Sequence, residues 1–136
     1  MIKKKLAGCV IVNENGEVLL LHRNMPELTQ WELPGGKQEP GESLAETAKR
    51  ETLEELDVEV AIIRELGIGE FEHAGVNWVY TWFLAKITSG TPRPAEADRY
   101  DGVKYFNLLD KSIEENEISI NIINLIKALK NKSVNL

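Results

Sequence analysis

A single cysteine, Cys9, in 136 residues has no partner within the chain, so no internal disulfide framework holds this fold, and the composition suits a reducing compartment. Long apolar runs are also missing. Nothing approaches the roughly 18 consecutive apolar residues of a membrane span. Lys3-Lys4-Lys5 ahead of Leu6-Ala7-Gly8-Cys9 imitates a lipoprotein processing site, but the apolar stretch of about 7 to 15 residues that such a signal needs does not separate them. Positive charge is scarce, with 16 Lys and Arg against 22 Asp and Glu and a sequence pI near 5.0. That balance argues against duplex nucleic acid as a partner, because binding to the phosphate backbone needs a basic surface. There is no GxxxxGK[ST] loop and no HExxH pair, which removes P-loop phosphoryl transfer and zinc peptidase chemistry. The two histidines, His22 and His73, stand alone and read as structural. No linker, repeat or low-complexity run divides the chain. With 43% hydrophobic and 28% charged residues, it reads as one cytoplasmic domain over residues 1–136, long enough to bury a real core.

Acid is what the chain has in excess, and one stretch concentrates it. Residues 36–58 read Gly36-Lys37-Gln38-Glu39-Pro40-Gly41-Glu42, then Ser43 to Lys49, then Arg50-Glu51-Thr52-Leu53-Glu54-Glu55-Leu56-Asp57-Val58. Ser43 followed three residues later by Glu46 is a capping box, which predicts a helix from there to about Leu56. At about 100° per residue, Leu44, Ala45, Ala48, Thr52 and Leu56 share an arc of roughly 120° that packs on a core. Glu51, Glu54 and Glu55 share an adjacent arc of roughly 100°, and Glu55 falls inside the apolar sector. Glu51 and Glu55 are like charges at i,i+4, and Glu54 and Glu55 face the unfavourable end of the helix dipole. Each effect costs from a few tenths up to about 1 kcal/mol. A divalent cation reverses that sign, and clustered carboxylate oxygens select hard ions such as Mg²⁺ or Mn²⁺. The alternative is a solvated acidic helix. Two features weigh against it: the acids border the core, and a Gly-Gly-Lys turn leads straight into the helix.

This stretch resembles the Nudix box: Gly, five residues, Glu, seven residues, Arg-Glu, an apolar residue, any residue, Glu-Glu, any residue, Gly, and an apolar residue. Gly36, Glu42, Arg50, Glu51, Glu54, Glu55 and Val58 are in register. Thr52 stands where an aliphatic residue is usual, and Asp57 replaces the final Gly. Thr52 keeps a methyl for the core. Asp is among the few residues that tolerate the left-handed conformation of a helix C-cap, so a strained ending with the site retained is expected.

Around this stretch the order of elements follows from local signals. Leu6 to Val12 and Glu17 to Arg23 flank Asn15-Gly16, the strongest short-range hairpin signature. Val18, Leu20 and His22 share one face of the second strand, with Leu19, Leu21 and Arg23 on the other. Asn24 to Gln30, with Pro26, reads as a loop. Trp31 to Leu33 is a brief strand that Pro34 ends. After the helix, Val58 to Leu66 and Val76 to Ile87 read as strands, the latter carrying Trp78, Tyr80, Trp82 and Phe83. These aromatics read as core, with an exposed ring available to stack on a base. Ser89 to Pro94 is punctuation and Val103 to Phe106 a last short strand. Ile118, Ile122, Leu125, Ile126 and Leu129 recur at helical spacing. The expected fold class is α/β, matching the Nudix-type α/β/α sandwich that the resemblance implies, with a mixed β-sheet between helices.

The resemblance further implies a Mg²⁺-dependent hydrolase, with Mn²⁺ as a substitute ion, acting on a nucleoside diphosphate linked to a further group X. A nucleoside triphosphate, intact or oxidised, cleaved to monophosphate and pyrophosphate is the first substrate expected. The rivals are ADP-ribose or a nucleotide sugar, and a non-catalytic nucleotide-sensing domain. The complete set of Arg50, Glu51, Glu54 and Glu55 weighs against the last. By resemblance, Glu51, Glu54, Glu55 and the Gly35 carbonyl hold metal, Glu51 doubles as a candidate general base, and Arg50 orients the carboxylates. Glu42 lies within reach of the same cation, while Glu46 belongs to the cap. Arg23 and Lys37 are expected on substrate phosphates, and Asn121 on the base. The resemblance also implies a further loop acid, for which Asp98 is expected over Glu96 and Asp101 because its spacing from Tyr105 comes nearest the family's usual arrangement. The expected partner is a small-molecule nucleotide, with no nucleic acid and no membrane; a homodimer is left open.

Overall fold

The computed structural model describes residues 2–136. Seven strands and two helices follow in the order β1 (Ile2–Ile11), β2 (Val18–Met25), β3 (Leu28–Glu32), β4 (Gly35–Lys37), α1 (Leu44–Leu56), β5 (Glu59–His73), β6 (Val76–Ser89), β7 (Tyr100–Phe106) and α2 (Ile120–Lys130). They form two sheets, not one: a mixed sheet in the order β4-β1-β6-β5, and an antiparallel sheet in the order β3-β2-β7. β1 runs parallel to β6 over ten residue pairs. From Ala7 to Ile11 it is buried on both faces, as expected of a strand between layers. Cys9, Ile11, Leu19 and Leu21 pack with Ala48 and Leu56 of α1. On the opposite side Val10, Val18 and Leu20 pack with Ile122 and Leu125 of α2. The two-faced alternation expected of the second strand is therefore present, and the helices cover opposite sides as the α/β/α expectation required. No helix among the described residues is long and apolar enough to cross a membrane.

The hairpin expected at Asn15-Gly16 does not form a ladder. The chain reverses there, with Gly16 at φ 75° and the Asn13 side chain accepting from Asn15 N at 3.0 Å and Glu17 N at 2.9 Å. Pairing stops at a single bridge between Val12 and Val18. Both edges of β1 are taken by β4 and β6, and both edges of β2 by β3 and β7, so the two strands pass into different sheets. The expected loop over residues 24–30 is the tighter hairpin instead. Met25 pairs with Leu28 across Pro26-Glu27. A second hairpin joins β5 to β6 through Ala74 and Gly75, both at positive φ, 51° and 76°, as a type I′ turn demands. Gly35 to Lys37, not foreseen as a strand, pairs antiparallel with Leu6 to Gly8.

α1 ends as the sequence suggested. Asp57 adopts φ 57°, ψ 40°, and its N–H donates to Leu53 O at 3.0 Å. Only an exposed contact with Arg93 at 3.1 Å engages its side chain. Exposed pairs of this kind contribute little, whereas Gly adopts the left-handed region without steric cost. Asp57→Gly is expected to raise stability by up to about 1 kcal/mol in urea titration, a bound set by the left-handed penalty. A loss of stability would assign more to the Arg93 contact than its exposure allows.

Candidate functional site

α1 begins with the capping box: Ser43 Oγ accepts from Glu46 N at 3.1 Å, and Glu46 Oε1 accepts from Ser43 N at 2.9 Å. Its inner face buries Ala48, Thr52 and Leu56 completely. The Thr52 hydroxyl donates to Ala48 O at 2.7 Å, so the departure from an aliphatic residue leaves no polar group unsatisfied. Glu55 turns inward on the same face and is only 5% exposed. Its Oε1 accepts from Gly35 N at 2.8 Å, and its Oε2 accepts from the Tyr100 hydroxyl at 3.1 Å. Burial pushes the Glu55 carboxyl up to about 8, against those two hydrogen bonds and with the help of the nearby Glu51 charge. Burial raises Glu51 as well. Gly36 is what lets Glu51 come so close to the backbone, since a Cβ there would lie 2.5 Å from the Glu51 carboxyl carbon.

Arg50 ties the acids together. Its Nε and Nη2 grip both oxygens of Glu42 at 3.0 and 2.7 Å. Its Nη1 reaches Glu51 at 2.9 Å and Glu54 at 3.3 Å, and Nη2 also donates to Lys37 O at 3.1 Å. This exceeds the simple i,i+4 pair that spacing alone would give. Glu42 also accepts from Thr47 Oγ1 and Glu39 N. The Arg50 contact, with these two hydrogen bonds, holds its carboxyl down to about 2. Glu42 thus anchors Arg50.

A second chain of contacts runs behind the acids. Arg23 donates to Glu32 through Nε at 2.7 Å and Nη2 at 3.1 Å, and Nη2 also donates to the Tyr100 hydroxyl at 2.9 Å. Tyr100 passes this on to Glu55. Arg23 was expected to face phosphate; its guanidinium is committed to Glu32 and stacks over the Tyr100 ring at 4.9 Å. Lys37 is exposed, with Nζ 5.3 Å from the Trp78 ring centroid. Asp98 is exposed, and the loop acid whose charge acts on both Glu51 and Glu55 is Glu96. Backbone bonds from Ala95 N to Glu55 O at 3.0 Å and from Arg93 N to Leu56 O at 3.1 Å lay that loop along the end of α1. Asp101 is engaged elsewhere, with His22 at 2.7 Å and Asn24 at 2.9 Å. Glu32 and Tyr100 escaped the sequence reading. The only local hint was Glu32 alternating with apolar neighbours just before Pro34.

Gly35 and Gly36 also floor a cleft of about 370 Å³ between the two sheets, walled by Leu6, Phe71 and Tyr80 and closed by Asn121 at the start of α2. Asn121 Oδ1 is buried there without a hydrogen-bond partner. At its rim Phe71 stacks on the half-buried Trp78, with centroids 6.4 Å apart.

The donor chemistry suits a hard divalent cation. Glu51 and Glu55 supply carboxylate oxygens beside the glycine pair, Arg50 Nη1 holds Glu54 near Glu51, and burial makes the Glu55 charge costly without a positive partner. Among the described residues, however, no three acids, histidines or cysteines are grouped as ion ligands. Arg50 Nη1 lies between Glu51 and Glu54, so cation binding must take these two from Arg50, which Glu42 retains.

The raised carboxyls carry a pH signature. Folded-state values above the unfolded ones mean that Glu55 and Glu51 hold protons that unfolding releases. The contribution of Glu55 to stability is complete below the ordinary carboxyl value of 4.5 and is lost as pH rises through about 8, and Glu51 acts in the same direction. Metal-free protein is therefore expected to lose stability across that window, by at most about 1.4 kcal/mol per pH unit for one group. Glu55→Gln should remove most of the slope when urea midpoints in EDTA are compared from pH 5 to 8. An equal slope in the variant would contradict the assignment.

The NUDIX domain family model matches residues 3–124. The chain is 34% identical over 100 residues to the Homo sapiens 8-oxo-dGDP phosphatase NUDT18, covering 71% of this chain and 30% of that one. It is 30% identical over 99 residues to a Danio rerio oxidized purine nucleoside triphosphate hydrolase, covering 72% and 64%. It therefore spans less than two thirds of either relative's length. The crystal structure of a MutT NUDIX hydrolase from Burkholderia pseudomallei superposes with a TM-score of 0.80 at 29% identity, covering 93% of this chain and 98% of that one.

Proposed function

Because the chain belongs to the NUDIX domain family, we propose that it is a Mg²⁺-dependent hydrolase that cleaves the phosphoanhydride of a nucleoside di- or triphosphate carrying an oxidised purine. One observation carries this reading. The Glu55 and Glu51 carboxylates lie against Gly35 and Gly36, which line a cleft of about 370 Å³ that also takes in Asn121 with its unpaired oxygen, and Arg50 holds Glu54 beside Glu51. The names of the human and zebrafish relatives supply the substrate class. Nudix hydrolases generally use divalent metal ions, and here Glu51, Glu54, Glu55 and the Gly35 carbonyl would hold Mg²⁺, with Mn²⁺ as a substitute. When bound, such an ion supplies positive charge against the charge that develops on the phosphoryl oxygens.

The side chains do the rest. Glu51, with its carboxyl raised by burial, accepts the proton of the attacking water. Arg50 holds Glu51 and Glu54 in place while Glu42 holds Arg50. Arg23 supports Glu55 through Tyr100, and Lys37 meets a phosphate at the rim. Glu96 joins the acids from its loop in place of Asp98. Asn121 accepts a hydrogen bond from the base. The test is a panel of dGTP, 8-oxo-dGTP, 8-oxo-dGDP and ADP-ribose with and without MgCl₂. Metal-dependent release of phosphate or pyrophosphate, fastest from an oxidised purine, is expected. Cleavage of ADP-ribose alone, or no turnover at all, contradicts the reading.

A further inference from the structure

Gln30 is a half-buried residue of β3 whose amide is held in one orientation. Alternation along the strand turns Gln30 and Glu32 to the same face, and both line the cleft. Gln30 Nε2 donates to Glu32 Oε2 at 2.8 Å. Glu32 is itself fixed by its two hydrogen bonds from Arg23, at 2.7 and 3.1 Å. A carboxylate paired with a guanidinium only accepts, so it meets the amide nitrogen and leaves the Gln30 carbonyl oxygen, Oε1, for another group. The same strand is fastened to the start of α2. Ser119 N donates to Trp31 O at 3.0 Å, and Trp31 forms a parallel bridge with Ile118. That contact joins the backbone next to Gln30 to the backbone two residues before Asn121, and Ser119, Ile120 and Asn121 line the same cleft as Gln30. Asn121 brings a second amide oxygen, the Oδ1 without a partner.

Two acceptors at the junction of β3 and α2 call for a ligand with two donors. Guanine carries them side by side on its Watson–Crick edge, as N1–H and the N2 amino group. Adenine and cytosine set an acceptor nitrogen beside their amino group, and thymine has one N–H between two carbonyls. We propose that Gln30 is a specificity-determining residue whose Oε1 accepts from the Watson–Crick edge of a guanine base that Asn121 also holds. A base that turns an acceptor toward these oxygens leaves polar groups unpaired, which is how such a site rejects it. Oxidation at C8 leaves that edge unaltered. Gln30 therefore separates guanine from the other bases and does not separate oxidised from intact guanine. The proposal rests on the nucleotide reading above and deepens it by naming a residue that reads the base and the edge it reads.

The test is Gln30→Met in the full chain, which keeps the reach of the side chain and removes its oxygen. Calorimetric titration in EDTA with dGMP, 8-oxo-dGMP, dAMP and dCMP, and with deoxyribose 5-phosphate as the base-free control, needs neither metal nor turnover. The wild type should bind the two guanine nucleotides more tightly than dAMP and dCMP. The variant should bind both of them about 3- to 10-fold more weakly, by the same factor, the effect of one net hydrogen bond. Its affinity for dAMP, dCMP and deoxyribose 5-phosphate should be unchanged. Weakening for every ligand, weakening for 8-oxo-dGMP alone, unchanged binding of the guanine nucleotides, or a wild type that prefers no guanine nucleotide or binds none overturns the proposal. Guanine-selective binding that Gln30→Met abolishes, without hydrolysis of any nucleotide, would defeat the catalytic reading alone. Hydrolysis of an oxidised purine nucleotide with Gln30→Met retaining full guanine selectivity would defeat only the role of Gln30.

Discussion

Replacing Glu54 by Gln is expected to lower kcat at least about 100-fold, while the metal-free protein keeps or slightly raises its Tm. Glu54 is half-exposed and its contacts are to Arg50 Nη1, at 3.3 and 3.5 Å. Little packing is therefore lost. The variant also removes one of three clustered negative charges at the end of a helix whose dipole opposes them, an effect of a few tenths of a kcal/mol. The loss in rate has a different origin, since a neutral amide is a weaker oxygen donor to a cation that offsets transition-state charge. Steady-state kinetics with thermal melts in EDTA separate the two. Unchanged kcat would remove Glu54 from the site.

Arg50→Ala should damage both fold and activity. Its guanidinium meets Glu42, Glu51, Glu54 and the Lys37 carbonyl. Removing it leaves acids from a loop and a helix facing one another with no cation between them. A Tm several degrees lower without metal and a kcat reduced at least about 10-fold are expected, with Mg²⁺ recovering part of the Tm. Arg50→Lys should not restore the wild-type values, because an ammonium cannot reproduce the two-pronged grip on Glu42. A Tm unchanged in Arg50→Ala would show that these contacts are no more than surface pairs.

What the sequence disclosed and what it hid divide along sequence separation. The box on α1 is local: Ser43 and Glu46 cap each other three residues apart, a 3.6-residue period sets Glu55 inward, and Asp57 closes the helix. The partner of a strand is not local. Asn15-Gly16 makes its turn, but competing edges from β3, β4, β6 and β7 claim both strands, while Pro26-Glu27 makes the ladder that Asn15-Gly16 does not. The same holds for the loop acid. Spacing from Tyr105 favoured Asp98; two backbone hydrogen bonds to the end of α1, about 40 residues away in sequence, lay the loop so that the Glu96 charge acts on Glu51 and Glu55. Arg23, Glu32 and Tyr100 come from three strands, and only the assembled antiparallel sheet links them to Glu55.

In the proposed site Glu51, Glu54 and Glu55 are gathered around a cation only in the folded chain. Thermal melts of wild type and Glu55→Gln in MgCl₂, and in NaCl of equal ionic strength, test it directly. A ligand at 100 times its Kd stabilises the native state by about 2.7 kcal/mol, which for a domain of this size is a rise of several degrees. Wild type should show that rise in MgCl₂ or MnCl₂ and not in NaCl, and Glu55→Gln should lose most of it. Equal responses to MgCl₂ and NaCl in both proteins would contradict the metal site and favour a domain that binds nucleotide without hydrolysing it.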